Sequence, residues 1–200
     1  RPMAAAPQRA PLQRDAIIDA ARELIRTGGL EALSLRRLAA KLGVTAPALY
    51  AHVDDKQDLL RAVAEVEFDR LVQRYDEVAG ASALDRVRSH SQAYVEHALT
   101  NPELFRVLFL FPPELSGADL PDGAELPAAT RAFSAAAGAV QEAIDAGDIV
   151  SDDPLLVTLA LWSGAHGVAT VTQLGFGLSP ELIESLTHEI TDRILAGYAT

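Results

Sequence analysis

The sequence contains no cysteine, a single methionine and a single tryptophan. Without cysteine, the chain can form neither disulfide bonds nor thiolate metal sites, and it fits a reducing cytoplasm. Residues 1–11 hold three prolines and lack the apolar stretch of a secretory signal, so they predict a tail. We therefore expect a cytoplasmic protein whose folded part begins near residue 12.

Basic residues are also scarce, and the net charge of −11 is unevenly distributed. Residues 1–60 hold nine Lys and Arg against seven Asp and Glu, a net charge of +2. Residues 61–200 hold eight against 21, a net charge of −13. A mildly basic end on an acidic body indicates that only the N-terminal part meets the phosphates of a nucleic acid.

Period-two alternation, which would predict a β-strand, does not continue for long anywhere, and no internal repeat is present. Helical spacing is common instead: Ile17, Ala21 and Ile25 fall on one face of a first helix, which Gly28 and Gly29 end. Similar patterns predict an all-α chain of about nine helices. The predicted segments are about 13–28, 35–42, 46–53, 54–78, 83–99, 102–111, 126–146, 153–173 and 180–197, with the longest loop at 112–123.

Residues 155–179 contain no Asp, Glu, Lys or Arg, as a membrane-spanning helix would. Polar side chains such as Ser163, His166 and Gln173 interrupt the apolar run, and four glycines dilute it. A helix buried on most sides, against its own domain and a second subunit, explains this composition better. We expect no membrane segment.

The segment from Ser34 to Lys56 carries the strongest functional signal. It predicts two short helices joined by a turn that contains Gly43, which is the arrangement of a helix-turn-helix. Ser34 and Thr45 stand where N-caps are needed, and Pro47 falls in the first turn of the second helix, where a missing N–H costs little. Such a pair must pack its leucines on the neighbouring helices, which leaves its second helix free to enter a DNA major groove.

The run G-V-T-A-P-A-L-Y-A-H-V-D-D-K at residues 43–56 resembles the recognition helix of the TetR family and the start of its fourth helix. The run L-S-L-R-R-L-A-A-K-L at residues 33–42 resembles the helix before it, and the resemblance spans about residues 13–70. It implies an all-α homodimer in which a three-helix DNA-binding domain precedes a helical bundle for regulation and dimerisation. The expected divisions are a disordered tail at 1–11, the DNA-binding domain at 12–57, and the ligand-binding and dimerisation domain at 58–200.

The resemblance also implies individual DNA-binding residues. Tyr50 and His52 lie where the family contacts the phosphate backbone, and Lys56 would add a positive charge there. Arg36 stands where some members reach a guanine edge. The alternative for Tyr50 is a ring packed between helices, and for the other three it is a purely solvated side chain. The implied set comprises Ser34, Arg36, Thr45, Ala46, Pro47, Ala48, Tyr50, His52 and Lys56.

The expected recognition surface is nearly apolar, unlike that of many relatives, because it presents Ala46, Pro47, Ala48 and Ala51. No Asn, Gln or Arg lies between Thr45 and Val53. We therefore expect this surface to read thymine methyl groups and groove shape, which leaves hydrogen-bonded base recognition to Arg36.

The run W-S-G-A-H-G at residues 162–167 resembles a Trp…His-Gly signature in the C-terminal domain of one subgroup of the family. The family implies an effector pocket and a dimer interface made by the last two helices, here near 153–173 and 180–197. Few polar groups along 155–173 favour a small apolar or amphipathic effector. The alternative for the lining residues is an ordinary core position. The implied lining residues are Tyr94, Phe105, Leu108, Phe109, Phe133, Trp162 and His166.

These features predict a DNA-binding transcriptional regulator, a repressor that an effector releases from a palindromic operator in double-stranded DNA. An enzyme is disfavoured because no phosphate-binding loop or nucleophile motif is present. We expect no cofactor and no metal, since His90 and His97 could share a helix face but a metal site needs more ligands. The remaining alternative is a helical adaptor that binds a protein partner without DNA.

Overall fold

A computed structural model describes residues 12–78, 82–111 and 126–199. Within these ranges the chain forms nine α-helices, one short 3₁₀ helix and no strand. The predicted all-α fold with an N-terminal helix-turn-helix is confirmed. The tail predicted for residues 1–11 and the loop predicted at 112–123 lie outside the described residues.

The chain divides into two compact units between Val63 and Ala64. This boundary falls within the fourth helix, whereas the domain limits predicted from the sequence remain a prediction. The helices are α1 Arg14–Gly28, α2 Leu35–Leu42, α3 Ala46–Tyr50, α4 Lys56–Glu77, α5 Ala83–Thr100, α6 Pro102–Leu108, α7 Pro127–Asp145, α8 Pro154–Thr172 and α9 Pro180–Ala196.

Two helices end earlier than the sequence predicts. α3 stops at Tyr50 and not near Val53, because the N–H groups of His52 and Val53 both bond the carbonyl of Leu49 and close a tight turn. α6 stops at Leu108 and not at 111, where three-residue turns replace the helical hydrogen bonds. In both cases the residues of the turn resemble those of the helix before it in composition, so the predicted helix ran past its end.

The N-terminal unit has a core to which every helix contributes. Ile17 and Ile25 of α1, Leu38 of α2, Leu49 of α3 and Leu59 of α4 are all fully buried. Burying a side chain of this size stabilises a fold by about 1.5–3 kcal/mol. α3 is only five residues long, and it is held by the buried Leu49 and by its contacts with α2.

The C-terminal unit is a bundle in which α5 packs against α6, α7, α8 and α9. Its core joins Val87 of α5 and Val140 of α7 to Val157 and Leu161 of α8. α8 is long and apolar enough to cross a membrane by length and composition alone. It packs against α5, α7 and α9 on one side, and 33% of its apolar window is buried inside the protein.

Candidate DNA-binding surface and ligand cavity

The turn between α2 and α3 is built from residues whose local chemistry suits it. The Ser34 side chain caps α2 by accepting a hydrogen bond from the N–H of Arg37 at 3.2 Å. Gly43 ends α2 with a φ of 66°, in the left-handed region that glycine enters without steric cost. Both of these sequence predictions are confirmed, and together they set where α3 begins.

Thr45 occupies the N-cap position of α3, but its side chain makes no capping hydrogen bond. The predicted position of the cap is confirmed, although no bond from the hydroxyl group accompanies it. Pro47, the second residue of α3, has no N–H to donate, and the N–H of Ala48 bonds the backbone carbonyl of Thr45 instead.

α3 turns one face into the protein and the other to solvent. Leu49 is fully buried, whereas the adjacent Tyr50 is 56% exposed. Tyr50 therefore does not pack its ring between helices, which removes that alternative. The side chains of Thr45, Ala46 and Pro47 are also exposed, so the outer face of α3 is open and nearly apolar.

The remaining predicted DNA-binding residues lie beside α3 in the same unit. Arg36 and Lys56 are exposed, while Ser34, Ala48 and His52 are partly buried. Lys56 lies in the first turn of α4, as the sequence predicts, but the helix begins at this residue and not at residue 54. The Asp55 side chain caps that helix by accepting a hydrogen bond from the N–H of Asp58 at 2.8 Å.

Sequence reasoning missed one residue of this surface, Arg14. Its guanidinium contacts both carboxylate oxygens of Asp58, at 2.8 and 3.2 Å, and donates to the backbone carbonyl of His52. Asp58 in turn accepts a hydrogen bond from the N–H of Asp54 at 3.1 Å. Arg14 thus fastens the turn between α3 and α4, and the distance of 44 residues to Asp58 explains why no local motif revealed it.

A cavity of about 70 Å³ lies inside the C-terminal unit, between α4, α5, α7 and α8 and the end of α6. Its wall is rich in aromatic rings, and none of the residues that line it is Asp, Glu, Lys or Arg. The aromatic rings belong to Phe68, Tyr75, Tyr94, Phe109, Phe133 and Trp162.

Five of the seven sequence-predicted pocket residues line this cavity. They are Tyr94, Leu108, Phe109, Phe133 and Trp162. Phe105 and His166 do not line it and lie behind the wall. The Phe105 ring meets Tyr94 edge-on with centroids 5.5 Å apart, and His166 lies 4.5 Å from the ring of Phe109.

A chain of hydrogen bonds runs along the aromatic wall. The indole N–H of Trp162 donates to the hydroxyl of Tyr94 at 3.1 Å, and that hydroxyl lies 3.1 Å from Nδ1 of His166. Burial raises the pKa of Tyr94 and lowers that of His166, so the phenol keeps its proton and the imidazole stays neutral. The Thr170 hydroxyl donates to the backbone carbonyl of His166 and lies 3.4 Å from Nε2, so Nε2 carries the ring proton. The Tyr94 hydroxyl therefore accepts from Trp162 and donates to Nδ1 of His166.

The sequence did not predict the cavity residues on α4, and it considered His90 only as half of a metal-binding pair with His97. His90 lines the cavity and stacks on the Tyr75 ring, with centroids 4.3 Å apart. His97, one heptad later, faces the buried Glu67 with 3.9 Å between Nε2 and Oε2. The two histidines thus have different surroundings, and in the described ranges no three His, Asp or Glu gather into a metal site.

Comparison with known proteins agrees with this arrangement. The family described as bacterial regulatory proteins, tetR family, matches residues 17–63, and a tetracyclin repressor-like C-terminal domain matches residues 87–194. An HTH-type transcriptional regulator from Mycobacterium tuberculosis is 30% identical over 167 residues, which are 83% of this chain and 72% of that protein.

Other similarities are local or structural. The class C tetracycline repressor from Escherichia coli is 54% identical over 54 residues, 27% of this chain and 25% of that protein. A solved structure from Rhodococcus sp. RHA1, of a protein described as having unknown function, shares 28% identity and has a TM-score of 0.80. That alignment covers 98% of this chain and 100% of the other.

A helix-turn-helix with an open outer helix, followed by a separate helical bundle, defines a DNA-binding transcriptional regulator. The chain belongs to the TetR family of bacterial regulators, since family matches cover both its N-terminal and its C-terminal part.

Proposed function

We propose that this regulator is a homodimeric repressor that binds a palindromic operator and leaves it when a small molecule enters the cavity of the C-terminal unit. The observation that carries the proposal is the outer face of α3, where Tyr50 is 56% exposed beside the fully buried Leu49. A helix fixed from below and open above has the form needed to enter a major groove. The cytoplasm, where the DNA lies, is the expected location.

The contacts to DNA divide into two groups. Tyr50, His52 and Lys56 contact phosphate oxygens, which position the protein but carry no sequence information. The exposed Arg36 reaches a guanine edge, and the apolar residues of α3 meet base edges in the groove. The hydroxyl groups of Ser34 and Thr45 add further contacts to the phosphate backbone of the DNA. The phosphate contacts make the affinity depend on salt.

Dimerisation is supported by an uncharged stripe on α8. Its residues recur every three or four positions on one face and are exposed or partly exposed, with Leu156 at 55%. An apolar face of this length on a regulator is typical of a subunit interface, and the occupant we propose is the same face of a second copy beside α9. The stripe comprises Leu156, Ala160, Ser163, Gly167 and Val171.

Release by an effector is supported by the placement of α4. This helix begins at Lys56 and contributes Phe68, Leu71 and Tyr75 to the cavity wall. A molecule that favours one arrangement of α4 over another changes the affinity for DNA by its differential affinity for the two, and a coupling of about 1–3 kcal/mol is typical.

The DNA-binding part is tested by selecting bound duplexes from a random pool and measuring affinity for the enriched sequence. We expect a palindrome, and we expect the variants Tyr50→Ala and Arg36→Ala each to bind it at least tenfold more weakly. Arg70→Ala, which removes an exposed arginine of α4 in the C-terminal unit, is the matched control and keeps full affinity. A pool that shows no enrichment even at low salt contradicts the proposal and favours the adaptor.

The dimer is tested by placing one charge on the stripe. Ser163→Arg introduces a large cation at its centre and is expected to give a monomer in sedimentation velocity, because a charge buried in an interface without a partner is strongly unfavourable. Ser134→Arg makes the same change on the exposed surface of α7 and remains dimeric. Dimeric Ser163→Arg protein would show that the interface lies elsewhere.

The effector step is tested with the selected operator duplex. A panel of small molecules is added to the complex and the retained fraction is measured, with Arg36→Ala protein as the control for loss of DNA contact alone. If a ligand releases the repressor, at least one molecule of the panel dissociates the operator complex. It does so at the concentrations at which it binds directly in the cavity. Retention throughout, by protein that demonstrably binds ligand, contradicts effector release.

A further inference from the structure

Large apolar side chains are exposed in two groups, one at each end of α8. The group at its beginning, called the start group, is Val150, Leu155 and Leu156. The group at its end, called the end group, is Val171, Leu174 and Phe176, of which the last two are 64% and 66% exposed. Exposed apolar groups of this size, joined by an uncharged stripe, are typical of a surface that another molecule covers.

The middle of the stripe on α8 has only small side chains, those of Ala160, Ser163 and Gly167. A Cβ atom at Gly167 would meet nothing within 4 Å, so the single chain has room for a larger side chain here. Two packed helices approach each other most closely where the side chains between them are small. The face of α8 is therefore shaped to take another helix across its middle, with large side chains at both ends to contact it.

The charge of the C-terminal unit indicates which molecule that is. Residues 61–200 carry a net charge of −13, whereas residues 155–179 contain no Asp, Glu, Lys or Arg. A basic partner would be attracted to the acidic surface elsewhere and gains no charge complementarity from this face. Two copies of the acidic chain, by contrast, repel each other unless they meet where charge is absent. The face thus fits a second copy.

The acidic residues beside α8 determine in which direction the second copy runs. Asp148, Asp152 and Asp153 are exposed just before the helix, and residues 173–179 after it carry no charge. Parallel helices would bring the acidic residues of both copies together. Antiparallel helices separate them by the length of α8, roughly 28 Å for its 19 residues, which is several times the screening length of about 8 Å at physiological salt.

The loop after α8 holds Phe176 in an outward position. Gly175 and Gly177 flank it with φ values of 81° and 65°, which side chains rarely adopt. A Cβ atom at either glycine would meet nothing within 4 Å, so these glycines serve the backbone conformation and not close packing. The turn is therefore set before any partner arrives, and it presents the phenyl ring to solvent.

We propose that two copies of α8 pair in antiparallel directions and cross at Ser163, so that the end group of each copy packs on the start group of the other. Leu156 lies seven residues before Ser163 and Val171 eight residues after it, so these two oppose each other across the pair. Each contact occurs twice, as a two-fold axis requires. This inference rests on the homodimer of the proposed function, and it adds the direction of pairing and the Phe176 loop as a second contact.

Disulfide cross-linking tests the register, because the chain has no cysteine of its own. The double variant Leu156→Cys/Val171→Cys is expected to give a covalent dimer on mild oxidation, seen on a non-reducing gel. A bond within one chain is excluded, since the two positions are roughly 22 Å apart along α8 and a disulfide joins Cα atoms about 4.4–6.8 Å apart. Each single variant runs as a monomer on that gel, because equivalent residues lie far apart in an antiparallel pair. Ser134→Cys, on the exposed surface of α7, is the control for random collision.

Sedimentation velocity tests the contact made by the loop. Phe176→Asp places a charge where the start group of the other copy would cover it, and we expect the dimer dissociation constant to rise at least tenfold. Ser134→Asp places the same charge on the exposed surface of α7 and leaves the dissociation constant unchanged. Phe176 is mostly exposed in the single chain, so this substitution leaves the fold of one subunit intact.

The outcomes separate the register from the dimer itself. Cross-linking of Leu156→Cys alone would show parallel helices and overturn the proposal. The double variant overturns it as well if it sediments as a dimer but forms no disulfide-linked product, and so does a Phe176→Asp protein with unchanged dimer affinity. A native chain that sediments as a monomer at every concentration would instead contradict the homodimer of the proposed function.

Discussion

Arg14 and Asp58 form a two-pronged ion pair between the first residue of α1 and the first turn of α4, with N–O distances of 2.8 and 3.2 Å. The same guanidinium bonds the carbonyl of His52, which lies in the turn between α3 and α4. The pair therefore holds the turn that carries His52 and leads into Lys56, which are two of the proposed phosphate contacts. We therefore expect the ion pair to support DNA binding by holding this turn in place, without touching DNA itself.

The first prediction concerns Arg14→Ala. We expect operator affinity to fall three- to tenfold and the free energy of unfolding by about 1 kcal/mol, because a partly exposed pair and one backbone bond are lost. The slope of log affinity against log salt stays unchanged, since no phosphate contact disappears. Arg26→Ala, which removes another arginine of α1 paired within its own helix, is the control. A slope that falls by about 0.9 would mean that Arg14 contacts phosphate directly.

The second prediction concerns pH. The hydrogen bond from Arg14 lowers the pKa of Asp58 below its ordinary value of 3.8. A carboxyl group with a lowered pKa in the folded state stabilises the protein above its unfolded pKa, and this contribution disappears as the pH falls through the folded value. The native chain is then more stable than Asp58→Asn at pH 7, and the gap closes below about pH 4.

Urea unfolding at pH 7, 5 and 3 measures this gap, with Asp152→Asn in an exposed turn as the control. The gap is expected to be equal at pH 7 and pH 5, since both lie above the ordinary pKa of the carboxyl group. A gap that persists unchanged at pH 3 would show that Asp58 acts only through its shape and its neutral hydrogen bonds.

The third prediction concerns base recognition. The outer face of α3 presents Ala46 and Pro47 to solvent, Ala51 is exposed directly after it, and none of these side chains can hydrogen-bond a base edge. We expect contact with thymine methyl groups instead. Replacing thymine by uracil, one operator position at a time, removes single methyl groups and is expected to weaken binding several-fold at one or two positions per half-site. Unchanged affinity at every position would show that methyl groups are not read.

The fourth prediction concerns the packing of α8 on α9. A Cβ atom at Gly164 would lie 2.8 Å from side-chain atoms of Ile190 and Ile194, whereas a Cβ at Gly138 of α7 meets nothing within 4 Å. Gly138→Ala is expected to stabilise the protein by about 0.5–1 kcal/mol, because alanine loses less entropy in a helix. Gly164→Ala has the same gain, but its added methyl group crowds the contact between α8 and α9, at a typical cost of about 1–3 kcal/mol.

Thermal and denaturant unfolding of the two variants compare these effects directly. We expect the free energy of unfolding of Gly164→Ala to be lower than that of Gly138→Ala by about the cost of this crowding. Equal stability would mean that the isoleucine side chains rearrange without strain and that close approach of α8 and α9 does not depend on Gly164.

The helices could be predicted within a few residues because their signals are local. Ser34 caps α2 and Gly43 ends it, and both effects act over four residues. The errors fall where one interaction overrides a neighbour's preference. Thr45 is a good capping residue by type, but Pro47 has no N–H and the N–H of Ala48 bonds the backbone carbonyl of Thr45, so its hydroxyl makes no capping bond.

The sites were predictable to different degrees for the same reason. The outer face of α3 follows from a short segment in which Leu49 points inward and Tyr50 outward. The cavity depends on which parts of separate helices meet, and no spacing along the chain brings Tyr75 beside His90. The sequence therefore indicated aromatic residues of the wall, but not that His90 lines it.

Glu65 links α4 to α7 and so limits how the cavity between them can change shape. Its carboxylate accepts a hydrogen bond from the N–H of Ala128 at 2.8 Å, and the Arg131 side chain bonds Asp69 at 2.6 Å. The first turn of α7 is thus tied to α4 at two points, one helical turn apart. A ligand that pushes α7 outward must therefore break both interactions or move α4 together with α7, so we expect the two helices to move as one unit.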